Sequence, residues 1–152
     1  FMYFTRFTQS KLHGASTITQ QVVRHFLLSK EKTVIRKLQE ILLATRLENM
    51  ISKEKILEIY LNSMYLGSGA YGVGAAAKRY FDKPLTQLKT HELSLLAGLF
   101  QAPSSYNPHS FPKRAKRRQA SVFKAMIRNK HLSKKDAKCL KLITSSKKPL
   151  KN

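Results

Sequence analysis

Acidic residues are scarce in this sequence of 152 residues: 8 Asp and Glu stand against 29 Lys and Arg, so the formal net charge is +21. The single cysteine, Cys139, excludes an internal disulfide framework and a cysteine-based zinc site. No apolar run approaches the roughly 18–20 residues needed to cross a bilayer. Glycine and proline are too few for a collagen-like chain, and a hydrophobic content of 42% excludes a disordered one. These exclusions leave a basic globular chain of about one domain.

The excess of positive charge predicts an anionic partner, which is a nucleic acid, an anionic lipid or a phosphorylated substrate. Much of the excess lies late in the chain, in KRAKRR at 113–118 and between Lys130 and Lys151. Solvated helix surfaces explain many of these residues individually, but they do not explain the imbalance. No recognised DNA- or RNA-binding motif accompanies the charge, so a nucleic acid is the least favoured partner.

Hydrophobic periodicity predicts an all-α fold without internal repeats, because apolar residues recur at helical spacing and no segment alternates with period two. The predicted helices are Thr17 to about Leu28, about Thr33 to Met50, Ser52 to before Gly67, 74–81, Thr90 to before Pro103, one from Pro112 and one from Ser133. The residues expected on their buried faces are Ile18, Val22 and Phe26; Val34, Leu38, Ile41, Leu42 and Thr45; Ile56, Ile59 and Tyr60; and Ala115, Gln119, Val122, Phe123 and Met126.

The segment GASTITQQ at 14–21 places four polar side chains at the start of the first helix: Ser16, Thr17, Gln20 and Gln21. Free backbone N–H groups at a helix N-terminus bind anions, so these residues are candidates for a substrate site. A capping box between Thr17 and Gln20 explains the same residues as a helix start. Both interpretations stay open at this point.

A series of cations follows, and an acid lies at its end: Arg24, Lys32, Arg36, Lys37 and Glu40. Arg36 and Glu40 are i,i+4 neighbours on one helix face. An exposed pair of this kind contributes only about 0–1 kcal/mol, and Arg before Glu is the less favourable order. Surrounding cations lower the pKa of a carboxyl group, so Glu40 is predicted to be a poor proton donor. It could hold a divalent metal or orient the cations around a diphosphate.

Four motifs, in order along residues 14–108, carry a resemblance to a known family: GASTITQQ, RKLQE, ILEIYLN with GSGAYGVGAAAKRYF, and ELSLLAGLFQAPSSYNP. Together they resemble the peptidoglycan glycosyltransferase family, which includes monofunctional transglycosylases and the N-terminal halves of class A penicillin-binding proteins. The resemblance implies a lysozyme-like, mainly helical fold at the outer face of the bacterial cytoplasmic membrane. It also implies that lipid II is polymerised into glycan strands and that undecaprenyl diphosphate is released.

The resemblance implies roles for individual residues. Glu40 closes the family's Arg-Lys-x-x-Glu motif and becomes the catalytic glutamate, with Mg²⁺ or Mn²⁺ as an expected cofactor near it. The implied substrate-binding residues are Ser16, Thr17, Gln20, Gln21, Arg24, Lys32, Arg36, Lys37 and Asn62. The implied partners are lipid II, the growing glycan strand, the membrane surface, and either a transpeptidase domain or proteins of the division and elongation machineries.

The sequence departs from the family chiefly at one motif, with a second, smaller departure at Gln39, where the family often has a basic residue. The family's general base is a glutamate in an upstream Glu-Asp…Phe…His…Gly motif, but no acidic residue precedes Glu31 here. Because the sequence begins with Phe1, we expect it to be part of a longer protein. We assign residues 1–130 to a partial glycosyltransferase domain and 131–152 to a basic C-terminal helix and tail, or linker. We expect this chain to fold and bind like the family without turnover.

Three alternatives belong to other functional classes. The first is a non-catalytic module that binds lipid diphosphates or membranes and keeps only the cationic groove. The second is a basic helical nucleic-acid binder that uses residues 113–118 and the lysine-rich tail. The third is a lytic hydrolase, which the cations around Glu40 disfavour because the acid of a hydrolase needs a raised pKa.

Overall fold

The computed structural model describes residues 16–29, 31 and 33–132. The helices are α1 Ile18–Leu27, α2 Val34–Met50, α3 Lys53–Ser63, α4 Gly72–Phe81, α5 Thr90–Leu99 and α6 Pro112–Arg128, with a 3₁₀ turn at Leu85–Gln87. Within the described residues, β structure is limited to one isolated bridge between Tyr65 and Tyr71. The all-α prediction is therefore confirmed. The helix predicted from Ser133 and most of the predicted tail lie outside the described residues.

Side-chain caps fix the starts of the first three helices where the sequence predicts them. The Thr17 hydroxyl accepts a hydrogen bond from the Gln20 N–H at 3.2 Å, and the Thr33 hydroxyl accepts one from the Arg36 N–H at 3.1 Å. Ser52 caps α3 in the same way, through the Lys55 N–H at 3.3 Å. Each hydroxyl satisfies a backbone donor that has no partner inside its helix. None of the helices in the described part of the chain is long and apolar enough to span a bilayer.

The chain divides within α3 into two compact units, Phe1–Leu57 and Glu58–Asn152. In the first unit α1 packs against α2. The buried residues at this contact are Thr19, Val22 and Val23 on α1, and Glu40 and Ala44 on α2. Small residues such as Ala44 allow close helix approach, and the face of α2 that turns inward is therefore the one that carries Glu40.

The buried stripe predicted for α2 is wrong. Val34, Leu38, Ile41 and Leu42 are between 42% and 79% exposed, and Thr45 is exposed as well. Successive residues are 100° apart on a helix, so Leu38 and Glu40 lie on nearly opposite faces, and burying Glu40 turns the apolar stripe outward. On α1 only Val22 is buried as predicted, because Ile18 and Phe26 are 41% and 56% exposed.

The second unit has a conventional apolar core. Its buried members are Leu66, Ala70, Ala76, Ala77, Tyr80, Leu88, Leu96 and Leu99, against which Val73, Phe81, Phe100 and Tyr106 pack. The Tyr80 hydroxyl donates to the Leu66 carbonyl at 2.9 Å, so its polar end is satisfied inside this core. Helix α6 packs against α5 through Ala115, Gln119 and Phe123, all of which were predicted to face inward.

Candidate functional site

The carboxylate of Glu40 is fully buried, and both of its oxygens bind cations. Arg36 Nη1 lies 2.8 Å from Oε2, and Lys37 Nζ donates to Oε1. The two cations come from the preceding turn of α2, at spacings of four and three residues. A buried charge is tolerated only when it is paired in this way. The ion pair is therefore part of the interior, and the exposed surface pair considered from the sequence is excluded.

Lys37 joins Glu40 to the start of α1. Its Nζ donates to Ser16 Oγ at 3.0 Å and to Gln20 Oε1 at 3.1 Å. Gln20 thus turns its side-chain oxygen toward Lys37 rather than completing a capping box with Thr17. Gln21 donates from Nε2 to the backbone carbonyl of Ser16 at 3.4 Å, so Ser16 accepts one hydrogen bond at its side chain and one at its backbone. Residues of two separate motifs therefore meet at one ammonium group.

Arg36 keeps one buried donor free. Its Nη1 is occupied by Glu40, but its buried Nε has no hydrogen-bond partner among the residues that the structure describes. A buried donor without a partner costs about 1–3 kcal/mol, so such atoms are rare unless a ligand or water satisfies them. The guanidinium is thus held by Glu40 on one side and retains a donor on another.

Cations determine the protonation state of Glu40. Burial alone would raise the pKa of its carboxyl group, but hydrogen bonds from Lys37 and Arg36, with the charges of Lys37 and Arg24, outweigh it. The pKa therefore lies below the ordinary value of 4.5, as the sequence predicts. At neutral pH Glu40 is an anion with no proton to donate.

The other predicted site residues differ in their placement. The Thr17 hydroxyl is used as the N-cap of α1, and Arg24 is exposed on the same helix. Lys32 lies outside the described residues. Asn62 is exposed in the last turn of α3 and belongs to the second unit. Substrate contacts by these residues stay predictions.

The surroundings of Glu40 suit cationic side chains better than a divalent metal. Both carboxylate oxygens already bind nitrogen cations, which a metal would have to displace. Over the part of the chain that the structure describes, no three His, Cys, Asp or Glu residues come together as a ligand set. Mg²⁺ needs only one or two carboxylates when substrate phosphates and waters complete its coordination, so a metal bound at Glu40 together with substrate stays a prediction.

The structure adds one contact that was not anticipated. The Thr19 hydroxyl donates to Glu48 Oε1 at 2.5 Å and so ties α1 to the far part of α2. A sequence signal for it existed, because Glu40, Ala44 and Glu48 recur every four residues and share one face of α2. Glu40 and Ala44 of this series are buried and Glu48 is exposed, so the series marked the inward face better than the apolar stripe did.

Comparison with known proteins places this arrangement in a family. The family model described as Transglycosylase matches residues 2–127. A Cupriavidus necator protein, named provisionally as a transglycosylase, is 52% identical over 114 residues, which cover 75% of this chain and 49% of that protein. Penicillin-binding protein 1A of Neisseria cinerea is 51% identical over 120 residues, covering 79% of this chain and 15% of that protein.

A solved structure agrees with the sequence comparisons. The crystal structure of penicillin-binding protein 1A from Haemophilus influenzae superposes with a TM-score of 0.57 at 31% identity, over 86% of this chain and 16% of that one. The chain thus spans about half the length of the Cupriavidus necator protein and 15% of the length of the Neisseria cinerea protein. Since the family model covers most of the sequence and the helical structure matches, this chain belongs to the transglycosylase family.

Proposed function

We propose that this chain is the glycosyltransferase portion of an enzyme that polymerises lipid II into glycan strands and releases undecaprenyl diphosphate. The observation that carries the proposal is the ammonium of Lys37, which contacts Glu40, Ser16 and Gln20 at once. This contact makes one polar, cationic site from the two motifs. The names of the related proteins, transglycosylase and penicillin-binding protein 1A, support the same reaction class.

Charge explains why such a site suits a diphosphate leaving group. As the glycosidic carbon–oxygen bond to the phosphate breaks, negative charge accumulates on the diphosphate, and fixed cations stabilise it without supplying a proton. Arg36, with its unpartnered Nε, and Lys37 are the donors that we assign to this task. Glu40 is assigned a positioning role, because it fixes both cations and is itself ionised.

Glu40 is a poor candidate for the base that activates the acceptor hydroxyl. A sugar hydroxyl is a weak nucleophile and needs a base within hydrogen-bond reach. Both Glu40 oxygens are engaged by cations, and its lowered pKa makes it a weak base. We therefore assign the role of base to the glutamate of the family's upstream motif. That motif is absent from residues 1–152.

Polymerisation of lipid II tests this division of roles. The chain alone is compared with a chimera in which the upstream Glu-Asp…Phe…His…Gly segment of Haemophilus influenzae penicillin-binding protein 1A precedes it. We expect glycan strands from the chimera and at least about a hundredfold less from the chain alone, since general-base catalysis contributes about 10²–10⁴-fold. A folded chimera that binds lipid II without polymerising it would favour the non-catalytic binding module.

We further propose that the first unit contacts the cytoplasmic membrane from its periplasmic or extracellular face, where a lipid-borne substrate resides. Apolar side chains exposed on α1 and α2 support this placement: Ile18, Phe26, Leu27, Val34, Ile35, Leu38, Ile41, Leu42 and Met50. Large exposed apolar surfaces on proteins mark contacts with membranes or other proteins. A groove of about 510 Å³ lies in the same unit between Leu27, Leu28, Leu42 and Leu43, with Arg46 at its edge.

Removing apolar surface from α2 should weaken membrane binding. The double variant Leu38→Ser/Leu42→Ser is expected to sediment with phosphatidylglycerol vesicles at least about tenfold less well, because burying a leucine in lipid contributes roughly 1.5–3 kcal/mol. Its free energy of unfolding should change little, since these side chains are 57% and 65% exposed. Leu85→Ser/Leu93→Ser, with exposed leucines of the second unit, is the control. Equal losses of vesicle binding in the two double variants would contradict the assignment of the membrane contact to the first unit.

A further inference from the structure

A second cationic groove lies in the second unit, apart from the residues assigned above. It has a volume of about 570 Å³ and is lined by Arg114, Arg117, Arg118, Gln101, Ser105 and Tyr106, with Ser121 at one side. Arg114 precedes Arg117 and Arg118 by three and four residues, and Ser121 follows them by four and three, so all four lie on one side of α6. All the lining residues belong to Glu58–Asn152.

These arginines have no acidic partner in the described part of the chain. Two carboxylates of the second unit bind elsewhere, Asp82 to Lys78 and Glu92 to Lys83, and the described ion pairs leave α6 out. The first turn of α6 contains no acid, and Phe111 offers no side-chain cap there. Arg114 lies in that first turn, at the positive end of the helix dipole, where a cation is unfavourable. Helix stability therefore does not explain why the arginines are concentrated there.

Two of the three guanidinium groups are held in place by uncharged neighbours. Arg118 donates from Nε to the Gly98 carbonyl at 3.4 Å, and its Cγ lies only 3.1 Å from where a Cβ on Gly98 would be. The missing side chain at Gly98 therefore makes room for the arginine. Arg114 lies over the Phe111 ring, with Cζ 5.0 Å from its centroid. Pre-ordered side chains lose less entropy when they bind a ligand.

We propose that this groove binds a phosphate group of charge −2 or more, held by Arg114, Arg117 and Arg118. Planar guanidinium forks match the geometry of phosphate oxygens and donate two parallel hydrogen bonds. Three cations around one space suit a phosphomonoester or diphosphate better than a carboxylate, which carries a single charge. The site does not depend on the proposed function, because none of its residues belongs to the Glu40 cluster.

Residue-resolved NMR with inorganic diphosphate tests the proposal on the full chain. We expect saturable shifts of the Ser105, Arg117 and Ser121 amides, with affinity at least about tenfold weaker in Arg114→Gln/Arg117→Gln, because each hydrogen bond to a charged group is strong. The matched control Lys113→Gln/Lys116→Gln removes the same charge from exposed residues of α6 outside the groove, and should lose less than about threefold. Equal weakening in both variants, or no saturable shifts in the wild type, would overturn the proposal.

Four further measurements keep the outcomes distinct. Arg114→Lys/Arg117→Lys preserves charge but not the fork, so a loss of affinity here supports the site even where the glutamine variant fails to fold. Glu40→Gln should leave the α6 shifts unchanged, which separates this site from the proposed catalytic one. In the Leu38→Ser/Leu42→Ser background, which weakens the proposed membrane contact of the first unit, sedimentation with phosphatidic acid vesicles is measured with and without Arg114→Gln/Arg117→Gln. A loss of at least about tenfold with the arginine variant would identify a phosphomonoester lipid headgroup as the source, and unchanged sedimentation would identify a soluble phosphate. Duplex DNA binding weakened alike by the arginine and lysine variants would indicate diffuse charge and contradict the site.

Discussion

Glu40→Gln is expected to lower the free energy of unfolding by about 3 kcal/mol, as for the breaking of a buried ion pair. The carboxylate is fully buried, and its loss leaves Arg36, whose side chain is only 15% exposed, without a counter-charge. Lys37 is 42% exposed and can recover water, which keeps the loss at the lower end of the range. Urea denaturation at pH 7 measures the change.

Glu54→Gln is the matched control, because it removes an exposed carboxylate from the first turn of α3. Its effect on the free energy of unfolding should be much smaller than that of Glu40→Gln, because water and salt screen an exposed charge at a helix end. In the chimera defined above, Glu40→Gln should reduce polymerisation at least about a hundredfold, since misplaced cations stabilise the departing diphosphate poorly. Full polymerisation by a folded Glu40→Gln chimera would refute the positioning role.

Glu40→Gln is also expected to change how the free energy of unfolding depends on pH. The pKa of Glu40 is lower in the folded protein than its ordinary value of 4.5, so the folded state binds this proton more weakly than the unfolded state. The stabilisation is complete above about pH 5 and is lost as the pH falls through the folded pKa. Glu40→Gln should therefore show a shallower loss of stability in acid. A residual slope is expected from Glu92, whose pKa is also lowered, because hydrogen bonds from Lys83 and the Lys89 N–H outweigh the opposing effect of burial.

Gly72→Ala is expected to lower the free energy of unfolding by at least about 3 kcal/mol. Gly72 has φ of +78°, a conformation that L-residues avoid. A Cβ there would lie 2.8 Å from the carbonyl carbon of Asn62 and 3.0 Å from its Cα. Because the obstacle is backbone in the last turn of α3, no rotamer change can relieve it.

Two nearby glycines separate the cost of the left-handed conformation from the cost of the steric overlap. Thermal or urea denaturation of their alanine variants measures both. Gly69 also has φ of +78° but open space around it, so Gly69→Ala should cost only the strain of the left-handed conformation, roughly 1–2 kcal/mol. Gly74 lies inside α4 with open space and no positive φ, and Gly74→Ala should stabilise the protein by about 0.5–1 kcal/mol. Similar losses at all three positions would contradict this explanation.

Helix positions were predictable because they depend on local signals. Thr17, Thr33 and Ser52 cap the helices that follow them, and Pro112 occupies the first turn of α6. Ala115, Gln119 and Phe123 of α6 are buried as predicted, because they recur at helical spacing, whereas Val122 and Met126 are half-buried. Local sequence also indicated that cations would lower the pKa of Glu40, because Arg36 and Lys37 lie within one turn of it.

The buried face of α2 was not predictable from the apolar pattern alone. Periodicity identifies an apolar stripe but not which face of the helix meets a neighbour, and here the face that carries Glu40 and Ala44 turns inward. Burial of Glu40 is favourable only because two cations neutralise it and Lys37 continues to Ser16 and Gln20. The last two contacts join residues 21 and 17 positions apart, so no local pattern specifies them.

The amino-acid sequence by itself determined the helices, the family resemblance and the charges that one turn of α2 brings together. Tertiary structure alone decided that Glu40 is buried, that Lys37 bridges two motifs, and that the arginines of α6 line a groove beside Gly98. The physical reason is the distance along the chain over which each interaction acts. Caps and i,i+4 pairs act within a turn of helix, whereas burial and shared cavities depend on which helix faces meet.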